Sequence, residues 1–304
     1  MGFDITSNYA GEHAGQYIAA ALKSATSLEY LTVLENVKTK RNITKVAGAS
    51  LVADASCDFT DAGTLTLTER ILDPKEFQIN IDLCKKDLLA DWQAAQMRSG
   101  AHNRDMSADF TAFVMSYISG TIADHVESNI WAGAPSTGGQ FTGFMHAGNG
   151  TFENDAAIVE AANEGGAGTA FTSSNIIANL QNVIAAVPTA VYTKEDLYVY
   201  LSPKSYRDYI SAISALSAFP FNHMGQYTPE FEGVKLAVCQ GMVENKMVAA
   251  QKSNLFFGTD LLSDHAEIKM LDMAQLDGSD NVRVVCKYTA GVQHAQGGDI
   301  VRMD

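Results

Sequence analysis

Basic charge, cysteine motifs and long apolar runs are all scarce in this sequence, and each absence disfavours a class of protein. The chain has 304 residues, with 21 lysines and arginines against 35 aspartates and glutamates, a formal net charge of −14. A protein that binds nucleic acid through a general basic surface is therefore disfavoured. The four cysteines are far apart and form no CxxC pair, which disfavours a metal or redox centre.

The sequence also contains no segment typical of membrane insertion or secretion. No apolar run approaches the ~18 residues that a membrane-spanning helix requires, and the first residues lack the basic start and apolar centre of a signal peptide. We therefore expect a soluble protein made in a cytoplasm, with no membrane partner. The formal glycosylation acceptors Asn42 and Asn149 carry no weight in that setting.

What the sequence does contain is a long amphipathic helix, predicted over residues 105–133. Its apolar residues recur at steps of three and four, which places them on one broad face: Met106, Phe110, Phe113, Val114, Tyr117, Ile118, Ile122, Val126 and Ile130. Asp105 or Ser107 is expected to cap its start, and Gly133 is expected to end it in the left-handed conformation. At 1.5 Å per residue the helix would be roughly 40 Å long and would span a subunit.

Before this helix the sequence predicts a long two-stranded excursion. Residues 28–46 are expected to enter the body of the fold as a strand, and apolar and polar residues alternate strictly over Thr64–Thr68. Phe77, Ile79 and Ile81 alternate on a returning strand, and residues 84–92 are predicted to form a short helix. A two-stranded ribbon alone in water is marginally stable and has unpaired edges. It needs support, either from another subunit or from its own domain, and the pattern leaves both open.

The second half of the chain has the mixture of helix and strand patterns that is typical of an α/β domain. A helix is predicted up to Pro188 with capping serines at its start, and Ser202 and Pro203 open another helix directly after a buried strand. Further strands and turns are predicted as follows: strands at 197–201, 234–239 and 246–251, a turn at 255–262, and a final hairpin of 266–273 with 281–294. In the last strand Val282, Val284, Cys286 and Tyr288 share one face.

Two acidic and histidine clusters would support a different class of protein, a cytosolic α/β enzyme. The first is His125 with Asp124 and Glu127, but spacings of one and two place helical side chains on different faces. The second is a set in a predicted turn, where solvated polar residues are common: Asp260, Asp264 and His265. We therefore predict no catalytic, cofactor-binding or metal-binding residue and no enzyme activity.

Two further patterns suggest phosphate binding without its usual context. The glycines at 165, 166 and 168 resemble a phosphate-binding loop, but no Lys-Ser or Lys-Thr follows them. A small basic cluster alternates like the solvated face of a strand, and local phosphate contact is its other interpretation: Lys38, Lys40, Arg41 and Lys45.

The order of these elements resembles the major capsid proteins of tailed bacteriophages, whose Hong Kong 97-type fold is shared by encapsulins. Three stretches carry the resemblance: ESNIWAG followed by FTGFM, then LYVYLSPKSYRDY, then SNLFFGTDLLSDHAEIKM. It implies an α+β fold with an N-terminal arm, an extended loop, a peripheral domain and an axial domain. The implied ranges are 1–27 for the arm, 47–74 for the loop, 28–46, 75–171 and 261–290 for the peripheral domain with its spine helix at 105–132, and 172–260 and 291–304 for the axial domain.

The resemblance also implies a function. The chain would be a structural protein that assembles as hexamers and pentamers into the icosahedral head shell of a tailed double-stranded DNA phage. Expected partners are further copies, portal and scaffold or decoration proteins, and packaged DNA through weak non-specific contact. The expected location is the virion, assembled in the host cytoplasm. An encapsulin-like compartment is the alternative.

Two departures from the family change what is expected. In the founding member a lysine in the extended loop bonds covalently to a neighbouring asparagine, but the loop tip here, ASCDFTDAG, contains no lysine, and Lys75 at the base is a poor substitute. Covalent cross-linking is therefore not expected. Only a short arm precedes the fold, so a separate scaffold or none is expected.

Overall fold

The computed structural model describes residues 25–49, 63–84, 108–215, 229–260, 268–279 and 281–304, with single positions at 52, 54 and 57. Several predictions lie outside these residues: the arm up to residue 24, most of the loop tip, the short helix beyond Cys84, the caps at Asp105 and Ser107, and Asp264 with His265.

The described elements are mostly strands, and the α-helices lie between residues 108 and 215 of the chain. After a 3-10 turn at Thr26–Tyr30 the strands are β1 (Thr32–Leu34), β2 (Arg41–Ala49), β3 (Thr64–Leu72), β4 (Lys75–Cys84), β5 (Val159–Glu160), β6 (Leu197–Leu201), β7 (Glu230–Phe231), β8 (Val234–Val238), β9 (Met247–Gln251), β10 (Leu255–Thr259), β11 (Ile268–Asp272), β12 (Asn281–His294) and β13 (Val301–Met303). The helices are α1 (Ala108–Ala132), α2 (Ile176–Ala186), α3 (Thr189–Tyr192) and α4 (Pro203–Ala215).

The first sheet is built around β12. Its strand order is β1-β10-β12-β11, and β4 pairs with β12 on the other side. The inward face predicted for β12 is confirmed, because Val282, Val284, Cys286 and Tyr288 are all buried. The turn predicted at 255–262 is wrong at its start, since residues 255–259 form β10 between β1 and β12.

Helix α1 packs on this sheet and confirms the long predicted rod. It has 25 residues, which corresponds to roughly 38 Å at the usual rise. Ile118, Ile122, Val126 and Ile130 are buried in one cluster with the inward residues of β12. Tyr117 was predicted on that apolar face but is exposed.

The helix ends at a glycine, although for a different reason from the one predicted. Gly133 is absent from the residues with positive φ, so the left-handed cap is wrong. A Cβ at this position would lie 2.2 Å from the carbonyl oxygen of Phe141 and 2.6 Å from that of Asn129. The chain therefore needs glycine here because two backbone segments approach closely.

The second sheet has the order β5-β13-β9-β6-β8-β7 and carries α2 and α4. The predicted junction of β6 and α4 is confirmed, because Pro203 is the first helical residue and the Ser202 hydroxyl accepts the amide of Ser205 at 3.2 Å. The serine caps predicted for α2 are wrong, since Asn175 holds the capping position and makes no side-chain capping bond. Buried residues of both helices and four strands form one apolar cluster.

Candidate functional site

Strands β2 and β3 form a separate two-stranded ribbon. They pair antiparallel over nine positions, from Arg41 opposite Leu72 to Ala49 opposite Thr64. At about 3.3 Å per residue the ribbon is roughly 30 Å long. Within the described part of the chain the two strands make a sheet with each other alone. The excursion predicted from alternation is confirmed.

One face of the ribbon carries most of its exposed apolar residues. Residues paired directly across an antiparallel ladder lie on the same face, and Val46 is paired with Leu67. Leu65 and Ile71, two and four positions from Leu67, share that face. Glu69 lies between Leu67 and Ile71 on the same face and accepts a hydrogen bond from Asn42 at 2.8 Å, so the apolar surface is interrupted toward the base. The exposed fractions of these four residues are 59% for Val46, 62% for Leu65, 65% for Leu67 and 51% for Ile71. We call this set the apolar ribbon face.

The opposite face is mainly polar. It carries Thr64, Thr66 and Thr68 on β3, and Lys45 lies directly across from Thr68. The ribbon is therefore amphipathic, with a polar side suited to water and an apolar side that lacks a cover among the described residues. An exposed apolar surface of this kind marks an interaction site.

The base of the ribbon is fixed to the body. Leu72 is fully buried and packs against Gly258 of β10, where an added Cβ would lie 2.6 Å from the leucine Cδ2. The Gln293 side chain donates to the Ile71 carbonyl at 3.0 Å. Arg70 donates to the Ala295 carbonyl at 3.0 Å and forms an ion pair with Asp155. The ribbon thus has a packed base and an exposed body.

The basic cluster lies beside this base. Lys40 pairs with Asp73 at 2.9 Å, with both side chains well exposed, and Arg41 is exposed as well. Lys38 and Lys40 precede β2 and Lys45 is half-buried, so the cluster is largely solvated but is not one strand face.

The first predicted enzyme cluster does not converge on one point. Asp124 is exposed, whereas Glu127 is buried. The His125 ring contacts the Tyr288 hydroxyl at 2.9 Å through Nδ1 and the Gly139 carbonyl through Nε2. The three side chains therefore point away from each other, as their spacing on the helix predicted.

Glu127 has a structural role that the sequence did not indicate. Its carboxylate accepts hydrogen bonds from the Thr26 hydroxyl at 3.0 Å, the Ser27 amide at 2.9 Å, the Ser27 hydroxyl at 2.6 Å and the Gly241 amide at 3.0 Å. Ser27 in turn accepts a hydrogen bond from the indole of Trp131. The donors lie about 100 residues away in sequence, so no local pattern could have revealed them.

The remaining candidates are structural as well. Asp260 accepts the Thr289 amide at 2.6 Å and joins the end of β10 to β12. The glycines at 165, 166 and 168 adopt φ values of 92°, 102° and 77°, and the Gly168 amide donates to the carbonyl of Asp304. They form turns bound to the C-terminus.

Two shallow cavities lie side by side at the edge of the second sheet, with volumes of about 500 and 490 Å³. Both are lined by Tyr192, Thr193 and Glu232, and neither is lined by histidine, cysteine or aspartate among the described residues. No group of three or more potential metal ligands occurs in the described ranges. In the same ranges no helix is long and apolar enough to cross a membrane.

The four cysteines are free and differ in exposure. Cys57 is exposed and Cys84 is half-buried, whereas Cys239 and Cys286 are buried. Burial raises the pKa of the Cys239 thiol to about 12, so it stays protonated and unreactive near neutral pH.

Solved structures similar to this chain over nearly its whole length are capsids and related particles. The capsid of an empty GTA particle is 10% identical, with 92% of this chain and 89% of that chain covered and a TM-score of 0.58. The satellite phage P4 procapsid, which includes its size determination protein, is 9% identical with coverages of 95% and 98% and a TM-score of 0.56. The fold is the Hong Kong 97-type capsid fold.

A third similar structure is a virus-like particle from Pyrococcus furiosus. It is 10% identical, with coverages of 96% and 98% and a TM-score of 0.55. No protein-family model matches the sequence, and no curated protein matches it either. The Hong Kong 97-type fold implied by the resemblance is therefore confirmed by three-dimensional similarity, at identities where sequence comparison finds nothing.

Proposed function

We propose that this chain is the major capsid protein of a tailed double-stranded DNA bacteriophage and assembles with copies of itself into an icosahedral head shell. The fold supports this proposal, because structures that share it are capsids. No catalytic role is assigned to any residue. Hexamers and pentamers of the chain would form the shell, located in the virion and assembled in the host cytoplasm.

The observation that carries the proposal is the apolar ribbon face. Fully burying a leucine, isoleucine or valine side chain contributes about 1.5–3 kcal/mol. The four residues of this face are already partly covered, so each would gain roughly half to two-thirds of that energy when a neighbouring copy buries it. The sum is on the order of several kcal/mol per ribbon. Each copy repeats the contact, and a closed symmetric shell accumulates it many times.

The domain assignment is part of this proposal. We propose residues 1–27 as the arm, 47–74 as the extended loop, and the remainder as peripheral and axial domains with the spine helix at α1. Residues 255–260, first expected in the axial domain, are better placed in the peripheral one, because β10 pairs with β12 and β1. β5 is better placed in the axial domain, because it pairs with β13.

Other partners follow from the same proposal. A portal and a scaffold or decoration protein would act during assembly, and packaged DNA would meet the wall only through weak non-specific contacts. The net charge of −14 supports weak contact, because an acidic wall repels phosphates and lets DNA enter and leave.

A shell that encloses protein, as encapsulins do, is the second candidate. The similarity to a virus-like particle, which is not described as a phage head, favours it. The contents of shells purified from the native host distinguish the two candidates, since a phage head holds DNA and the alternative holds protein.

The decisive experiment compares two substitutions at adjacent positions of the ribbon. Leu67→Asp places a charge on the apolar ribbon face, whereas Thr68→Asp places the same charge on the polar face opposite Lys45. We expect both variants to fold with the circular dichroism spectrum of the wild type. Thr68→Asp should form closed shells, and Leu67→Asp should remain as small species.

Sedimentation velocity and negative-stain microscopy measure the outcome. Closed shells from both variants would show that the apolar ribbon face does not bind a neighbour. A wild-type chain that remains solitary with every assembly partner supplied would contradict the shell function itself.

A further inference from the structure

The segment that joins the two sheets also holds the base of the ribbon. β12 of the first sheet ends at His294, a 3-10 turn follows at Gly297–Asp299, and β13 of the second sheet begins at Val301. Arg70 of β3 donates to the Ala295 carbonyl in this segment. Three parts of the molecule, the ribbon and both sheets, therefore meet at this junction.

A single carboxylate at the junction receives three donors. Oδ2 of Asp155 accepts from the Arg70 guanidinium and from Nε2 of His294 at 3.0 Å, and Oδ1 accepts the Ala157 amide at 3.1 Å. A Cβ at position 297 would lie 1.8 Å from Oδ2. Glycine at 297 therefore makes room for the carboxylate.

His294 is held in a setting that favours its neutral form. Its side chain is 0% exposed, and its Nδ1 is buried with no hydrogen-bond partner among the residues that the structure describes. The ring of Phe152 packs edge-on at a centroid distance of 5.3 Å, and Leu255 of β10 lies opposite His294 in the sheet. Within the described ranges the charged groups facing the ring are Asp155 and Arg70.

Protonation of His294 would create two defects. In the neutral ring Nε2 donates to Asp155, so the new proton would go to Nδ1, where it would be a buried donor without an acceptor. The site would also hold two cations, His294 and Arg70, around one carboxylate.

The pKa values at the junction agree with this geometry. Burial lowers the pKa of His294 below its ordinary value of 6.5, the charge of Arg70 lowers it further, and the hydrogen bond to Asp155 offsets only part of the effect. Burial alone would raise the pKa of Asp155, but the bonds from His294 and the Ala157 amide and the charge of Arg70 outweigh it and hold that pKa below 3.8.

We propose that Arg70, Asp155 and His294 form a clasp that fixes the direction of the ribbon at neutral pH and opens when His294 is protonated. The clasp is a property of the single chain and does not depend on the proposed shell function. An opened clasp leaves the ribbon paired within itself and held to the body by Leu72 and the Gln293 hydrogen bond, so its angle to the body varies over a wider range.

The pH range follows from the signs of the two shifts. The pKa of His294 is lower in the closed form than its ordinary value of 6.5. The closed form is therefore fully stable above about pH 6.5 and loses stability as the pH falls below that value. Asp155 keeps its charge through that range, because its pKa is below 3.8. Opening is therefore expected in mild acid, where histidine titrates and this carboxylate does not.

The experiment measures the position of the ribbon through a label on β3 itself. Spin labels are placed at Thr68→Cys, an exposed position on the polar face of the ribbon, and at Glu195→Cys, an exposed position on the second sheet's side, in a Cys57→Ser, Cys84→Ser background that leaves only buried native thiols. Labelled chain is diluted with unlabelled chain, and distances are measured by double electron–electron resonance at about pH 7.5 and about pH 5.5, on either side of the histidine range. We expect a narrow distribution at the higher pH and a broad one at the lower.

Three variants make the assignment specific. His294→Gln retains a donor for Asp155 without titrating, so its distribution should be the same at both pH values. Arg70→Gln breaks the ion pair and should be broad at both. His146→Gln, which removes a histidine elsewhere, should keep the wild-type response.

The size of the response is also predicted. The ratio of open to closed ribbons should rise by up to about tenfold for each pH unit below the ordinary histidine value, until the native pKa is reached. A wild-type distribution that is unchanged by pH, or a pH response that survives in His294→Gln, would overturn the proposal. If His294→Gln does not fold, a narrow distribution in Arg70→Gln at neutral pH would overturn it independently.

Discussion

A buried carboxylate is stable only when hydrogen bonds compensate for the water it has lost. Glu127 meets this condition, because its two oxygens accept four hydrogen bonds from two separated segments. It joins α1 to the 3-10 turn at Thr26–Tyr30 and to the loop that follows β8. The same residue suggested an active site in the sequence, since spacing alone cannot distinguish a reactive carboxylate from one whose oxygens are already occupied.

Replacing Glu127 by glutamine should therefore destabilise the chain. The change removes the charge and places an NH₂ group, itself a donor, next to the hydrogen-bond donors of Thr26, Ser27 and Gly241. We therefore expect the free energy of unfolding to fall by about 2–3 kcal/mol. Urea unfolding of the unassembled chain measures it. The control is Glu244→Gln, whose exposed carboxylate lies 3.6 Å from Lys204 and should change stability by less than about 0.5 kcal/mol. Equal losses in both variants would contradict this account of Glu127.

At the scale of elements, local patterns predicted the parts of the fold that local physics determines. Ser202 and Pro203 mark the start of α4 by capping and by a fixed φ, and alternation identified β3 and the inward face of β12. β10 was missed because LFFGT has no alternation and owes its extended form to β1 and β12, which are distant in sequence. The amphipathic ribbon could be predicted in the same way. The contacts at its base could not, because Arg70 and Asp155 are 85 residues apart and no local pattern joins them.

Glycines in and after α1 provide a test at this scale. Gly120 lies in the exposed interior of the helix with nothing within 4 Å of an added Cβ. Gly120→Ala should raise the free energy of unfolding by about 0.5–1 kcal/mol, because alanine loses less backbone entropy on folding.

Gly133→Ala should act in the opposite direction, because its Cβ would lie 2.2 Å from the Phe141 carbonyl oxygen. We expect it to lower the free energy of unfolding by about 2 kcal/mol or more, within the range seen for overpacked sites. Thermal unfolding of the two variants side by side measures both effects. A stabilising Gly133→Ala would show that the close approach at the end of α1 is wrong.

At the scale of the whole molecule, acidity is the dominant property. A net charge of −14 on 304 residues repels nucleic acid at long range. Only weak DNA contact is expected, even though the proposed shell encloses DNA. Binding to DNA is driven by basic side chains that displace counterions from the phosphates, and an acidic wall displaces few.

A gel-shift measurement tests this expectation. The unassembled chain should not retard duplex DNA at micromolar protein in about 50 mM salt, a condition that strengthens non-specific binding. Retardation that weakens steeply with added salt would reveal a concentrated basic surface and contradict the expectation. A basic DNA-binding domain run on the same gel supplies the positive control.

The 14-residue strand β12 has a mechanical consequence. It is bonded to β4 over residues 281–290 on one side and to β11 and β10 on the other, and it leads on to β13. A pull on the ribbon reaches the body through the chain itself, which runs from β3 directly into β4, and through the hydrogen bonds at residues 293–295 at the end of β12. The load is then spread in shear over hydrogen bonds to three neighbouring strands. The body should consequently tilt as a stiff block under tension, with the strain concentrated at the ribbon's base.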